Sequence, residues 1–338
     1  MAASPFTFFR GAADVFAADL AGRPTTGLTV QLCGDAHLSN FGGFASPERT
    51  LVFDINDFDE TLPGPFEWDL QRLAASFEVA GRSNGFEASD RGAVQRALGA
   101  TYATAMREFA GMGYLDVWYS RLDLDDAGQF WDPDLTKALR SRFRGVVEKA
   151  QSKDRLKALR KLTTTGSDGR PRFLSDPPLL EPVSELFADA EHDAVWTVVS
   201  EALSSYGRTV QADRRVLLGR YEAVDLARKV VGVGSVGTRC WVALLVGQDD
   251  HDPLFLQVKE AEPSVLEPHL GRSGYAQHGQ RVVEGQRLMQ SASDIFLGWE
   301  RTAGVDGRDH HYYFRQLWDW KASADIDSMD PTLLVAYA

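Results

Sequence analysis

Two short polar runs near the start of the chain hold residue types suited to moving a phosphoryl group. Cys33-Gly34-Asp35-Ala36-His37-Leu38-Ser39-Asn40 follows the apolar run Leu28 to Leu32, and Asn56-Asp57-Phe58-Asp59-Glu60 follows a second, Leu51 to Ile55. An acceptor hydroxyl needs a carboxylate to take its proton, and Mg2+ prefers hard oxygen ligands while keeping waters and phosphate oxygens in its other positions. Asp35 as the base, with Asn40 and Asp57 as metal ligands, meets both needs. A metal-dependent hydrolase is the alternative, with Asp35, His37, Asp54 and Asp57 around two ions. The other six histidines offer no matching pattern, so His37 reads as a loop-packing or hydrogen-bonding residue. The plainest alternative is a set of turn formers, since Asp and Asn favour turns through local backbone hydrogen bonds.

A second set lies two hundred residues further on. Gly232-Val233-Gly234-Ser235-Val236-Gly237 has the form G-x-G-x-x-G. In a dinucleotide-binding fold these glycines end a strand and open a helix, whereas Thr238 to Val246 reads as a continuing strand. A glycine loop between antiparallel strands is the kinase-type arrangement, with main-chain N–H groups over the nucleotide phosphates. That arrangement requires a lysine on the next strand and a carboxylate on the helix after it. Leu256-Gln257-Val258-Lys259-Glu260-Ala261 supplies the first and Glu284 the second. Gly232, Gly234, Ser235 and Gly237 would cover the phosphates, Lys259 would bind them as a point charge, and Glu284 would hold Lys259. Kinases also keep base and asparagine five residues apart, as Asp35 and Asn40 are. Each motif alone recurs by chance; a surface hairpin with an edge-strand lysine and an ordinary helical glutamate is the competing reading.

Hydrophobic spacing supplies the elements that must position these residues. Phe6 to Leu20, Glu67 to Ala80, Ala93 to Phe109, Asp134 to Leu162 and Pro182 to Val216 read as helices. Val230 to Val236, Arg239 to Val246, Leu254 to Val258 and His311 to Trp318 read as strands, Glu284 to Trp299 as a helix, and Thr163 to Pro182 as a loop or linker. The 338 residues divide into a mainly helical part, 1–220, and a β-rich part, 221–338. With 36 Lys plus Arg against 48 Asp plus Glu the net charge is −12, which disfavours a general nucleic-acid coat. Lys137 to Lys161 departs from this, with ten basic residues against Glu148 and Asp154; a solvated helix face is the expected use. Two distant cysteines, no secretion-type leader and no run of about 18 apolar residues suggest a cytoplasmic protein without a membrane span.

Gly34-Asp35-Ala36-His37-Leu38-Ser39-Asn40 resembles the catalytic loop of aminoglycoside and choline-type phosphotransferases, of form G-D-x-H-x-x-N. Asp57-Phe58-Asp59 resembles their metal-binding segment, and Trp68-Asp69-Leu70 the helical aspartate that buttresses the loop. Pro5 to Ala13, Cys33 to Phe41, Asn56 to Thr61, Gly232 to Thr238 and Gln286 to Trp299 together resemble the bacterial domain of unknown function 2252 family. The resemblance implies an α+β, protein-kinase-like two-lobe fold and ATP- and Mg2+-dependent phosphotransfer to an unidentified small-molecule or protein hydroxyl. A pseudokinase that binds nucleotide, or a nucleotidyl transferase, would use the same residues. The order is inverted, because the catalytic and metal residues precede the glycine loop and lysine. A circular permutation is therefore expected, with Tyr312 to Trp318 as the inter-lobe strand and the C-terminal helix returning to the N-terminal segment. The family resemblance also suggests further elements at both ends.

Overall fold

The computed structural model describes residues 4–124, 154–187, 189–230, 239–303, 308–317 and 320–338, with a few single positions between 145 and 152. Its first half opens with two helices, α1 (Pro5–Arg10) and α2 (Ala13–Leu20), where the spacing suggested one. Gly11 caps α1 and the chain turns there, which ends the first helix. Strand β1 (Thr29–Leu32) pairs antiparallel with β4 (Leu62–Pro65), and between them lies the hairpin β2 (Phe41–Ala45) and β3 (Leu51–Ile55). The two prolines and glycine of β4 read as a turn in the sequence. They are tolerated because β4 pairs on one side in a two-stranded sheet.

Helices α3 (Glu67–Ser83), α4 (Ala88–Ala110) and α5 (Tyr114–Tyr119) follow, then β5 (Leu122–Asp123), which pairs with β3. Of the expected helix Asp134 to Leu162, α6 (Arg155–Leu162) forms and the positions 145, 147, 148 and 150 are helical; residues 134–144 lie outside the described residues. The stretch expected as a linker instead carries β6 (Thr163–Thr165), β7 (Pro171–Phe173) and β8 (Leu180–Pro182). Phe173 and Leu180 anchor it by burial in the core of the main sheet. The expected helix from Pro182 to Val216 is three helices, α7 (Val183–Leu186), α8 (Asp189–Tyr206) and α9 (Ala212–Leu218).

The main sheet adds β9 (Glu222–Lys229), β10 (Cys240–Val246), β11 (Pro253–Glu260), β12 (Gly298–Ala303) and β13 (Asp309–Gln316), in the antiparallel order β12-β13-β11-β10-β9-β8. Side chains alternate between faces with period two. Ala243, Leu245, Leu254, Leu256, Val258 and Phe314 pack against Tyr206 of α8 and Val183 of α7. Val242, Leu244, Val246 and Phe255 pack on the other face against Ala158, Leu162 and Phe173. Lys259 therefore emerges on the same face as Phe255 and Gln257. Between β11 and β12 lie α10 (Glu267–Leu270) and α11 (His278–Met289). Helix α11 starts before the expected Glu284, where Gln277 caps it through the Gln280 amide, and it ends at Met289, so that Gly298 and Trp299 at the end of the expected helix lie in β12.

The chain then returns to the first half. β14 (Ala322–Ser323) pairs with β2, and α12 (Pro331–Tyr337) packs on α3 and α4. Leu334 is buried with Phe6, Leu38, Phe77 and Val94, so both ends of the described chain share one core. Among the described residues no helix is long and apolar enough to cross a membrane.

Candidate active site

Helix α3 holds the Asp35 loop in place. Asp69, Arg72 and Ser76 lie on one face by their three- and four-residue spacing, and each engages the loop. The Asp69 carboxylate accepts the Cys33 and Gly34 amides at 2.8 and 3.1 Å. Ser76 Oγ accepts the Leu38 amide at 3.0 Å. Arg72 Nε donates to Asp35 Oδ1 at 2.5 Å, and its guanidinium lies over the Phe9 ring. From the other end of the chain, the Tyr337 hydroxyl donates to the Leu38 and Phe41 carbonyls at 2.9 and 3.1 Å. Gly34 has φ +85°, and a Cβ there would sit 2.2 Å from the Glu60 carbonyl oxygen, so the turn before Asp35 demands glycine. Asn40 Nδ2 donates to the Asp35 carbonyl at 2.8 Å. That commits the amide nitrogen and leaves its oxygen as the atom to offer a cation.

The second loop meets the main sheet at Lys259. Lys259 Nζ lies 3.7 Å from Asp57 Oδ1 and is paired more closely with Asp59. Tyr313, opposite Lys259 in the β11–β13 register, donates its hydroxyl to Asp59 Oδ1 at 2.5 Å. Between Asp57 and Asp59, Phe58 is buried with Val282 and Val283 of α11 and with Ala36 of the first loop. Arg281 of α11 binds the loop backbone, donating to the carbonyls of Thr61 at 2.8 Å and Asp59 at 2.7 Å. Arg315 donates to Gln257 Oε1 at 2.9 Å and to the Asn56 carbonyl at 2.8 Å.

Burial and charge set the protonation states. Burial pushes the Asp35 carboxyl up to about 6; Arg72 opposes that push and the Asp57 charge adds to it. Burial would also raise Asp57, but Lys259, Arg315 and Lys321 outweigh it and hold the carboxyl at about 2. Lys259 loses solvation by burial, yet Asp57 and Asp59 keep it charged, well above the ordinary lysine range. Burial, with Arg10 and Arg72, drives His37 down to about 3, so it is neutral at physiological pH. His37 Nε2 stands 3.7 Å from Asp35 Oδ2, beyond hydrogen-bonding distance.

The residues present fit a hard cation. Asp57 Oδ1 is buried without a hydrogen-bond partner and belongs to an ionised carboxylate, and the Asn40 main-chain carbonyl accepts the Asn56 amide at 2.7 Å, which joins the two loops. Among the described residues no group of three or more His, Cys, Asp or Glu side chains gathers as a metal cage. A cation held by these two residues would complete its shell with waters and substrate oxygens.

Of the residues singled out from sequence, Asp35 and Asn40 share one loop, and Asp57 and Lys259 meet across the two halves. Glu284 is not with them: it pairs with Arg287, one turn along its own helix, at 3.4 Å, and Lys259 takes Asp59 and Asp57 instead. Gly232, Gly234, Ser235 and Gly237 lie outside the described residues. Arg72, Asp59, Tyr313, Arg281 and Arg315 were not anticipated. Asp59 was legible as the second carboxylate of Asp57-Phe58-Asp59, and Arg72 as the helical position three residues after Asp69.

Fold and site together define a mixed α+β protein in which a lysine of the main sheet meets the carboxylate loop of residues 56–60. The chain belongs to the family described as an uncharacterized protein conserved in bacteria, domain of unknown function 2252, whose model matches residues 1–338. No curated protein and no solved structure matches the chain.

Proposed function

We propose that this chain is an ATP- and Mg2+-dependent phosphotransferase of the kinase-like superfamily, permuted in order, acting on a hydroxyl acceptor. The observation that carries the reading is the 3.7 Å approach of Lys259 Nζ to Asp57 Oδ1, residues of two motifs at opposite ends of the sequence. Three further features support it. Lys259 lies on the third of the consecutive antiparallel strands β9, β10 and β11, and the glycine run falls between the first two in sequence. Asn40 is bonded to the Asp35 backbone, which couples the proposed metal ligand to the proposed base. The C-terminal helix returns to the Asp35 loop through Tyr337, as a permuted chain requires.

In this mechanism the Asp35 carboxylate, ionised above about pH 6, takes the proton of the acceptor hydroxyl. The acceptor oxygen bonds to the γ-phosphorus as the bond to the β–γ bridging oxygen breaks, and ADP leaves. Lys259 binds phosphate oxygens once these displace Asp59. Asn40 and Asp57 would hold Mg2+, which supplies charge neutralisation at the phosphates. A hydrolase with Asp35, His37, Asp54 and Asp57 around two ions is disfavoured, because among the described residues these side chains do not gather as a group of three or more. The test is thermal unfolding with millimolar ATP and Mg2+. The reading expects a stabilisation that is lost in Lys259→Ala and kept in Asp35→Asn, and absence of any shift in the wild type would sink it.

A further inference from the structure

A cavity of about 560 Å3 adjoins the candidate site and shares Asn56, Arg315 and Lys321 with its surroundings. Asn56 and Arg315 line it, while Asp35, Asp57 and Lys259 do not. Its size is that of a small-molecule site. One wall is apolar: Tyr221, Leu254, Ile295 and Phe296 belong to the core on one face of the main sheet and present its edge to the cavity. The lining also carries cations. Arg49 lies 4.3 Å over the Trp320 ring, and Lys321 and Arg315 line the cavity too.

The two carboxylates on the lining are already spent on backbone. Asp294 accepts the amides of Phe296, at 2.8 Å, and of Gln316; Asp154 accepts the Lys157 amide at 2.8 Å as the cap of α6. Arg155 is paired with Asp252. Arg315 differs: both of its hydrogen bonds go to neutral oxygens, those of Gln257 and Asn56. An anion in the cavity could therefore take a charge-assisted bond from Arg315 without displacing a hydrogen-bonded carboxylate, and the Arg315 charge that also bears on Asp57 would then be shared with the anion.

We infer that this cavity is a binding site for an amphipathic small molecule, with an acidic group against Arg315 and Lys321 and an apolar body against Ile295 and Phe296. The inference does not rest on phosphotransfer. It does place the ligand one residue from the metal loop, because Arg315 also holds the Asn56 carbonyl. Occupancy would draw on the same guanidinium that fixes the start of Asn56-Asp57.

The probe is anilinonaphthalene sulfonate, which carries an acidic group on an aromatic body and reports binding by fluorescence. Full-length protein is expected to show one saturable site per chain. Ser293→Trp, which fills the cavity from its lining, should abolish that site, and Lys321→Glu should weaken it about ten-fold, the loss of one charge-assisted contact. The exposed aromatic surface at α5, where Trp118 is 57% exposed, is the competing site for such a dye. Trp118→Ser should leave the titration unchanged. Binding that survives Ser293→Trp and Lys321→Glu, or that vanishes in Trp118→Ser, overturns the inference. Circular dichroism checks each fold, and if Ser293→Trp does not fold, Lys321→Glu decides.

Discussion

Arg72 Nε sits 2.5 Å from Asp35 Oδ1, so the candidate base carries its own buried cation from α3. Arg72→Met keeps the packing volume and removes the charge. Since Arg72 lowers the Asp35 pKa against the upward push of burial, its loss must raise that pKa beyond about 6. The acid limb of a pH–rate profile should move up by roughly one unit or more. Stability should fall by about 3–5 kcal/mol, the cost of stranding one member of a buried pair. A profile that stays in place would show that Asp35 does not set it.

Asp59, rather than Glu284, holds Lys259 in this structure, and the two carboxylates can be compared directly. Asp59→Ala leaves Lys259 with Asp57 at 3.7 Å and strips Tyr313 of its acceptor. It should cost about 2–4 kcal/mol in urea unfolding and, because phosphate oxygens no longer have to displace Asp59 from Lys259, leave nucleotide-dependent stabilisation in place. Glu284→Ala loses a partly exposed pair on its own helix and should fall within about 0.5 kcal/mol of wild type. The reverse ranking would mean that the helix moves to bring Glu284 to Lys259 in the working state.

What sequence could and could not convey follows from the range of each interaction. The loop residues Asp35, Asn40 and Asp57, and the strand of Lys259, were legible because residue type and spacing are local. The partners Asp59, Tyr313 and Arg315 come from register between β11 and β13 and from the meeting of two halves, and no local pattern encodes that. Glu284 was misplaced for the same reason: Val282 and Val283 take the side of the helix packed on Phe58 and Tyr313, and Glu284 pairs with Arg287 instead. The linker reading of Thr163 to Pro182 failed because glycine, proline and serine mark turns. Burial of Phe173 and Leu180 is a tertiary effect that overrides local composition.

Glu60 supplies a pH test that separates one group from the rest. Burial pushes its carboxyl up to about 7, with the Val265 amide, bonded at 2.7 Å, and Arg281 opposing and Asp59 adding. A carboxyl raised in the folded state contributes stability that is present below its unfolded value and lost as pH rises through the folded one. For Glu60 that loss spans the range from the ordinary glutamate value of 4.5 to about 7. Glu60→Gln keeps an oxygen for the Val265 amide and cannot ionise. The variant should therefore gain on wild type between pH 5 and pH 8, by up to about 3 kcal/mol. The difference between the two proteins cancels the histidines, which titrate in both. A difference that stays constant with pH would mean that Glu60 ionises normally.

The metal assignment can be separated from the nucleotide assignment by a single substitution. Asp57→Asn removes the negative charge that would hold Mg2+ but leaves Lys259 its close partner Asp59, so the phosphate-binding lysine stays in place. In wild type, ATP with Mg2+ should stabilise more than ATP with a chelator. A ligand at a hundred times its dissociation constant contributes about 2.7 kcal/mol. For 338 residues that is a rise in Tm of about 4 °C, at roughly 1.4 °C per kcal/mol. Asp57→Asn should retain a smaller ATP shift and show the same value with and without Mg2+. Its own melting temperature should change as well, because Lys259 and Arg315 lose a charge that they now neutralise. That offset is read without ligand and subtracted. If Mg2+ still adds to the ATP shift in Asp57→Asn, the cation is held by other oxygens and Asp57 serves the lysine alone.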